Sequence, residues 1–102
     1  MPRPFTRKIP KKYKIKHKGG RHAVCHNCEE PAWCDPHHAL GGSNRKWSDW
    51  YDLVFDLCAT CHREATLEQN DMGYKYRRLG QELYEERFTR EQFMDNFKKN
   101  YL

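Results

Sequence analysis

A chain of 102 residues has room for one domain with a modest core, because a domain of this size buries only ~60–70% of the surface its unfolded form exposes. Apolar residues make up 37% of it and aromatics 14%. No apolar run is long enough for a signal peptide or a membrane span, so no membrane partner is expected and a cytoplasmic protein is. The net charge of +5 is unevenly spread: residues 1–21 carry nine Lys/Arg and no acid, and the remainder carries ten basic and fourteen acidic residues.

The first 21 residues combine that basic run with Pro2, Pro4, Pro10 and Gly19-Gly20. This composition predicts an extended, flexible arm that ends at the glycines. Such an arm suits a polyanion, with Arg3, Arg7, Lys8, Lys11 and Lys12 as phosphate contacts; the plainer alternative is a solubilising tail. Phe5, Ile9, Tyr13 and Ile15 either dock on the body or stack on bases.

A metal-binding segment follows, from Cys25-His26-Asn27-Cys28 to Cys58-Ala59-Thr60-Cys61-His62. Two C-x2-C pairs supply four thiolates, Cys25, Cys28, Cys58 and Cys61, which suit a structural tetrahedral Zn²⁺. A small chain gains from such a staple, and five cysteines in this pattern favour metal in a reducing compartment over disulfides. Cys34 reads as a buried small apolar residue. His17, His22 and His26 read as structural or exposed, with His26 a minor candidate to replace a cysteine ligand.

Between the pairs lies Trp33-Cys34-Asp35-Pro36-His37-His38. Pro36 argues against a central strand and is tolerated at an edge. Gly41-Gly42-Ser43-Asn44 predicts a turn, then a polar aromatic stretch through Trp47, Trp50 and Tyr51, for which burial is the favoured role. Residues 52–57 predict a short strand entering the second knuckle, and residues 62–69 a helix. Met72, Tyr76, Leu79 and Leu83 form one apolar helical stripe interrupted by Gly80. Thr89 and Gln92 form a capping box flanked by Phe88 and Phe93, with Phe93, Phe97 and Tyr101 continuing that face. Lys98 and Lys99 fall in the last turn, where the helix dipole favours cations.

A four-thiolate clamp would draw His37, His38 and His62 together. Neutral imidazole binds divalent metal, and an imidazole with a near-neutral pKa is a natural general base. At these residues the sequence resembles the HNH, or ββα-metal, nucleases, in particular small bacteriophage and prophage proteins. The matching features are the first C-x2-C, His37-His38, Gly41-Gly42, Asn44-Arg45, a hydrophobic strand and Leu57-Cys58-x-x-Cys61-His62. The resemblance spans about residues 22–70. It implies an α+β fold: a zinc-stapled ββα-metal core over residues 22–71, C-terminal helices over 72–102 and the basic arm over 1–21.

The resemblance further implies that His37 and His62 ligate a catalytic divalent cation (Mg²⁺, Mn²⁺ or Ni²⁺) and that His38 is the general base. Asn44 would hold the loop and orient His38, although relatives often carry that Asn just before the second strand, where this chain has Tyr51-Asp52. Asp35, Glu68 or Asn70 stands as a further ligand. The implied activity is hydrolysis of DNA to 5′-phosphate and 3′-hydroxyl ends in the cytoplasm of a bacterial host, with Arg45 and Lys46 beside the loop binding phosphate. Adjacent strand residues face opposite ways, so His37 and His38 share a site only if the strand bends there. The alternatives are a non-catalytic zinc-ribbon module that binds nucleic acid and a zinc-stabilised protein-interaction module. Oligomeric state is not legible.

Overall fold

The computed structural model describes residues 3–67 and 71–102. It is an α+β fold with a three-stranded antiparallel sheet and four helices. These are β1 (Arg21–Val24), β2 (Pro31–His38), α1 (Arg45–Trp50), β3 (Val54–Cys58), α2 (Ala59–Thr66), α3 (Asp71–Glu85) and α4 (Arg90–Phe97). No helix among the described residues is long and apolar enough to cross a membrane.

The strand order is β1-β2-β3, so β2 is central, contrary to the expectation drawn from Pro36. The register explains how the proline is accommodated. β1 pairs only with Pro31 to Cys34, whereas β3 pairs with Cys34 to His38. Pro36 therefore lies in the half of β2 that has one neighbour, where the proline is tolerated as on an edge strand.

Ser48 fixes the connection from β2 to β3. Its buried hydroxyl donates to the Leu40 carbonyl at 2.7 Å and accepts from the Leu40 amide at 3.0 Å. Leu53 N–H then donates to Ser48 O at 2.7 Å. These bonds hold α1 against the end of β2, although α1 has only six residues and no side-chain cap. Tyr51 is buried, and Trp47 and Trp50 pack partly buried against the same core.

Helix α3 spans two cores. Tyr76 packs with Cys25, Cys34, Leu57, Cys61 and Ala65. Two turns later, Tyr84 packs with Leu40, Tyr51, Leu53, Phe93 and Phe97. The expected stripe holds at Met72, Tyr76 and Leu79, which pack on the first of these cores, but Leu83 is exposed and Tyr84 takes the inward place. Gly80 is a point of close approach, not an interruption: a Cβ there would stand 2.6 Å from Ala39 Cβ. The drift from Leu83 to Tyr84 follows from that close approach, which puts the Gly73/Tyr76/Gly80/Tyr84 face inward. The Thr89–Gln92 capping box forms in full.

Residues 3–17 of the arm form no helix or strand, turn at Lys11-Lys12 and dock on the body, because they carry hydrogen-bonding and aromatic groups that meet partners there. Thr6 N–H donates to Tyr51 Oη at 3.1 Å, and Asn96 Nδ2 donates to Thr6 O at 3.0 Å. Phe5 faces Phe88, and the Arg3 guanidinium lies 3.9 Å from the Trp50 ring centre.

Candidate functional site

Two knuckles form one thiolate cluster. β1 delivers Cys25 and Cys28 into a turn closed by Glu29 N–H donating to Cys25 O at 2.9 Å, with Glu29 in the left-handed region at φ 62°. β3 and α2 deliver Cys58 and Cys61. The four Sγ atoms lie within 4.8 Å of one another, and Cys28 and Cys58 are 3.9 Å apart. A Zn–S bond of ~2.3 Å gives tetrahedral S···S edges of ~3.8 Å, so this donor set fits Zn²⁺.

The surroundings favour the thiolate at Cys25, whereas the pKa values of Cys28 and Cys61 are raised: hydrogen bonds from the Glu30 backbone and from Asn27 lower them, but burial and the neighbouring thiols prevail. Burial raises the Cys25 pKa, but backbone hydrogen bonds from Cys28, Cys58 and Asn27 outweigh it and bring the thiol down to about 6. Asn27 Nδ2 donates to Cys61 Sγ at 3.3 Å, and Lys75 in turn holds Asn27 Oδ1 at 3.1 Å. His26 is outside the thiolate set; its Nδ1 meets Tyr76 Oη at 2.7 Å. Cys34 is fully buried.

The clamp sets the start of α2 against the end of β2. His37 and His62 consequently meet with ring centres 5.4 Å apart, and the Tyr76 ring stands 5.5 Å from that of His37. His37 is only 7% exposed. Burial first, then the charges of His62, His38 and Arg77, hold its pKa down at about 4. His37 is therefore neutral at physiological pH and has a lone pair to offer a cation. Asp35, two residues before His37 on the same strand, reaches His62 Nδ1 at 3.9 Å. Among the described residues, the four cysteines form the one group of three or more such ligands, while His37 and His62 remain a pair flanked by Asp35. Glu68 and Asn70 lie outside the described residues.

His38 turns the other way, toward α1, as strand alternation requires. Its Nε2 lies 3.0 Å from Asp49 Oδ1. Asp49 is completely buried and is a hub that spacing along the chain does not reveal. Its carboxylate accepts from Lys16 N–H at 2.7 Å and His17 N–H at 2.9 Å, and it contacts His17 Nδ1 and the Tyr13 hydroxyl. Burial alone would raise the Asp49 pKa, but donors from Tyr13, Lys16, His17 and His38 prevail and hold it well below the ordinary carboxylate range. An ionised Asp49 requires a proton on His38 Nε2, which leaves the lone pair of the neutral ring on Nδ1. The His38 pKa is lowered by burial, an effect that Asp49 opposes and Arg45 reinforces.

Asn44 does not take the orienting role expected of it. It sits at the end of a 3-10 turn (Gly42–Asn44), and its Nδ2 donates to Phe97 O at 3.2 Å. It thus ties the loop to α4, while Asp49 holds His38. Despite their opposite directions, His37 and His38 both line one cleft of about 850 Å³, because β2 ends at that point. His62, Asn44 and Arg45 line it too, joined by Tyr74, Arg77, Lys99 and Tyr101 from the C-terminal part of the chain. Lys46 is exposed next to Arg45.

The arm cations divide into two sets. Arg3 stacks on Trp50, and Arg7 pairs with Asp95 at 3.4 Å. Lys8, Lys11 and Lys12 are exposed. Compared with known protein families, curated proteins and solved structures, the chain matches none of them.

Proposed function

We propose that this chain is a metal-dependent DNA endonuclease of the HNH, or ββα-metal, type. The observation that carries the reading is the meeting of His37 and His62 at 5.4 Å beside an aspartate-held His38, in one cleft edged by Arg45, Arg77 and Lys99. The order β2, loop with α1, β3, α2 supports it further, since this is the strand-loop-strand-helix arrangement of that family. The four thiolates would serve as a structural zinc clamp.

His37 and His62 would hold the catalytic divalent cation, with Asp35 beside His62. Two imidazoles favour manganese, nickel or another transition ion over magnesium, which prefers oxygen ligands. When bound, the cation supplies Lewis-acid stabilisation of the charge that builds on the phosphate. His38 accepts a proton at Nδ1 from the attacking water, and Asp49 stabilises the imidazolium that results. The water oxygen bonds to phosphorus as the P–O3′ bond breaks, leaving a 5′-phosphate on one fragment and, on the other, a 3′-oxyanion that takes a proton from solvent to become the 3′-hydroxyl. Arg45, whose charge lowers the His38 pKa and which lines the same cleft, would bind the entering phosphate.

Supercoiled-plasmid nicking with added Mg²⁺, Mn²⁺ or Ni²⁺ tests the proposal. His38→Ala should abolish nicking while zinc content and DNA affinity persist. Undiminished nicking in that variant would remove the mechanism. DNA binding with no cleavage under any metal would reduce the chain to a zinc-stapled binding module.

A further inference from the structure

The cleft has a second wall, from which the chemistry above gives a role to Arg45 alone. Arg45 from α1, Arg77 from α3 and Lys99 just beyond α4 line it together with two tyrosines, Tyr74 and Tyr101, and among the described residues no aspartate or glutamate lines it. Among the described residues, none of these three cations is in an ion pair, whereas Arg7, Lys16 and Arg21 each sit on a carboxylate. Cations concentrated on one wall without a carboxylate partner attract an anion.

The two tyrosines stand among those cations. Tyr74 is 45% exposed, and its ring meets that of Tyr101 at 6.3 Å and 68°. The pair is held in place: Tyr74 Oη donates to Tyr101 O at 3.1 Å, and Tyr101 N–H donates to the buried Gln81 at 2.7 Å. The Arg77 guanidinium lies 5.9 Å and 5.8 Å from the two ring centres, and Lys99 Nζ lies 5.2 Å from that of Tyr101. Fixed aromatic faces among unpaired cations are the two components of a single-strand site: cations follow the phosphates and rings stack on bases. A duplex keeps its bases stacked inside, so only an unpaired nucleotide can use such a ring.

We infer that this wall binds a nucleic-acid strand with an unpaired nucleotide at the cleft, its phosphates on Arg45, Arg77 and Lys99 and its base against Tyr74 or Tyr101. The inference rests on the nuclease reading for the identity of the polyanion, and it narrows the substrate to single-stranded, frayed or branched nucleic acid over intact duplex.

Two measurements on the 102-residue chain, with no divalent cation added, test it. A single-stranded oligonucleotide carrying 5-iodouracil is irradiated with the protein and the adducts are mapped by mass spectrometry. Adducts are expected on Tyr74 or Tyr101; adducts confined to residues 3–18 or to Trp33 overturn the inference. In the second, fluorescence anisotropy compares a 12-mer single strand with its duplex. Tyr101→Ala should weaken the single strand about tenfold with a much smaller effect on the duplex, and equal losses would overturn the stacking role. Arg77→Gln with Lys99→Gln should make the single-strand salt slope shallower by roughly 1.4, about 0.7 for each phosphate no longer neutralised; an unchanged slope would remove the phosphate contacts. Neither readout needs cleavage. Adducts at Tyr74 in a protein that never nicks would keep this wall and discard the catalytic reading, and nicking without them would do the reverse.

Discussion

Nε2 of His38 stands 3.0 Å from Oδ1 of Asp49, a carboxylate with no exposed surface at all. The pair joins the end of β2 to α1, and Asp49 also gathers Lys16, His17 and Tyr13 from the arm. The position of His38 therefore depends on three separate parts of the chain.

Asp49→Asn keeps the size of the side chain but removes the charge that fixes the His38 tautomer. Nicking should fall by on the order of 10²–10⁴-fold, the ordinary contribution of a positioned base. Because Asp49 raises the His38 pKa, the acid limb of the rate profile should move to lower pH in the residual activity. An unchanged rate in a folded variant would show that His38 does not work through Asp49.

The same carboxylate makes a stability prediction with a definite sign. Its folded pKa lies below the unfolded value of about 3.9. Its contribution is therefore fully present above that value and is lost as the pH falls below about 4 toward the folded pKa. The groups facing it are Tyr13, the Lys16 amide, His17 and His38, with Asp52 reaching His17 at 3.4 Å. Urea unfolding at pH 7 should show Asp49→Asn less stable by about 1.5–3 kcal/mol, the range for hydrogen bonds to a charged group. That gap should narrow below pH 4, and a gap independent of pH would contradict the linkage.

Gly80→Ala opposes two effects of known size. Alanine is better than glycine inside a helix by about 1 kcal/mol. However, the new Cβ would meet Ala39 Cβ at 2.6 Å and Leu40 Cδ1 at 3.1 Å, and Ala39 Cβ cannot swing away. Overpacking of this kind costs about 1–3 kcal/mol, so net destabilisation is expected in denaturant titrations. A stabilised variant would mean that α3 can move off β2.

Removal of one thiolate probes the staple. Cys25→Ser should abolish stoichiometric zinc by elemental analysis. Structural zinc contributes about 10–16 kcal/mol of apparent binding energy to folding in small domains, so near-UV circular dichroism should lose its fixed aromatic signal. Cys34→Ser, at a buried cysteine outside the cluster, should retain the metal.

How much of this site is legible in the sequence follows from distance along the chain. The cysteines are legible because a C-x2-C pair states its geometry within four residues, and the Thr89–Gln92 box is equally local. Asp49 is not, since it lies 11 residues from His38 and 36 from Tyr13, and its helix is too short to show a period. Asn44 draws the orienting role because it sits in the loop beside the histidines, but its side chain is turned to Phe97. Pro36 misleads on strand order because sequence alone does not reveal where a neighbouring strand stops. Most of the second wall, from Tyr74 to Tyr101, is remote from the histidines in the chain, so the topology alone brings it there.

The arm offers the last test, because its cations are not equivalent. Arg3 and Arg7 are engaged by Trp50 and Asp95, whereas Lys8, Lys11 and Lys12 are exposed. Replacing those three lysines with glutamine should leave the melting temperature unchanged and make the duplex salt slope shallower by about 0.9 for each phosphate those lysines neutralise. Deleting residues 1–18 is a harsher change, since it also removes the Tyr13, Lys16 and His17 donors from Asp49. Nicking should then fall even at low salt, where DNA binding no longer limits the rate. If the triple-lysine variant and the deletion had the same effect on rate, the arm would act by charge alone and its bonds to Asp49 would have no part in the activity.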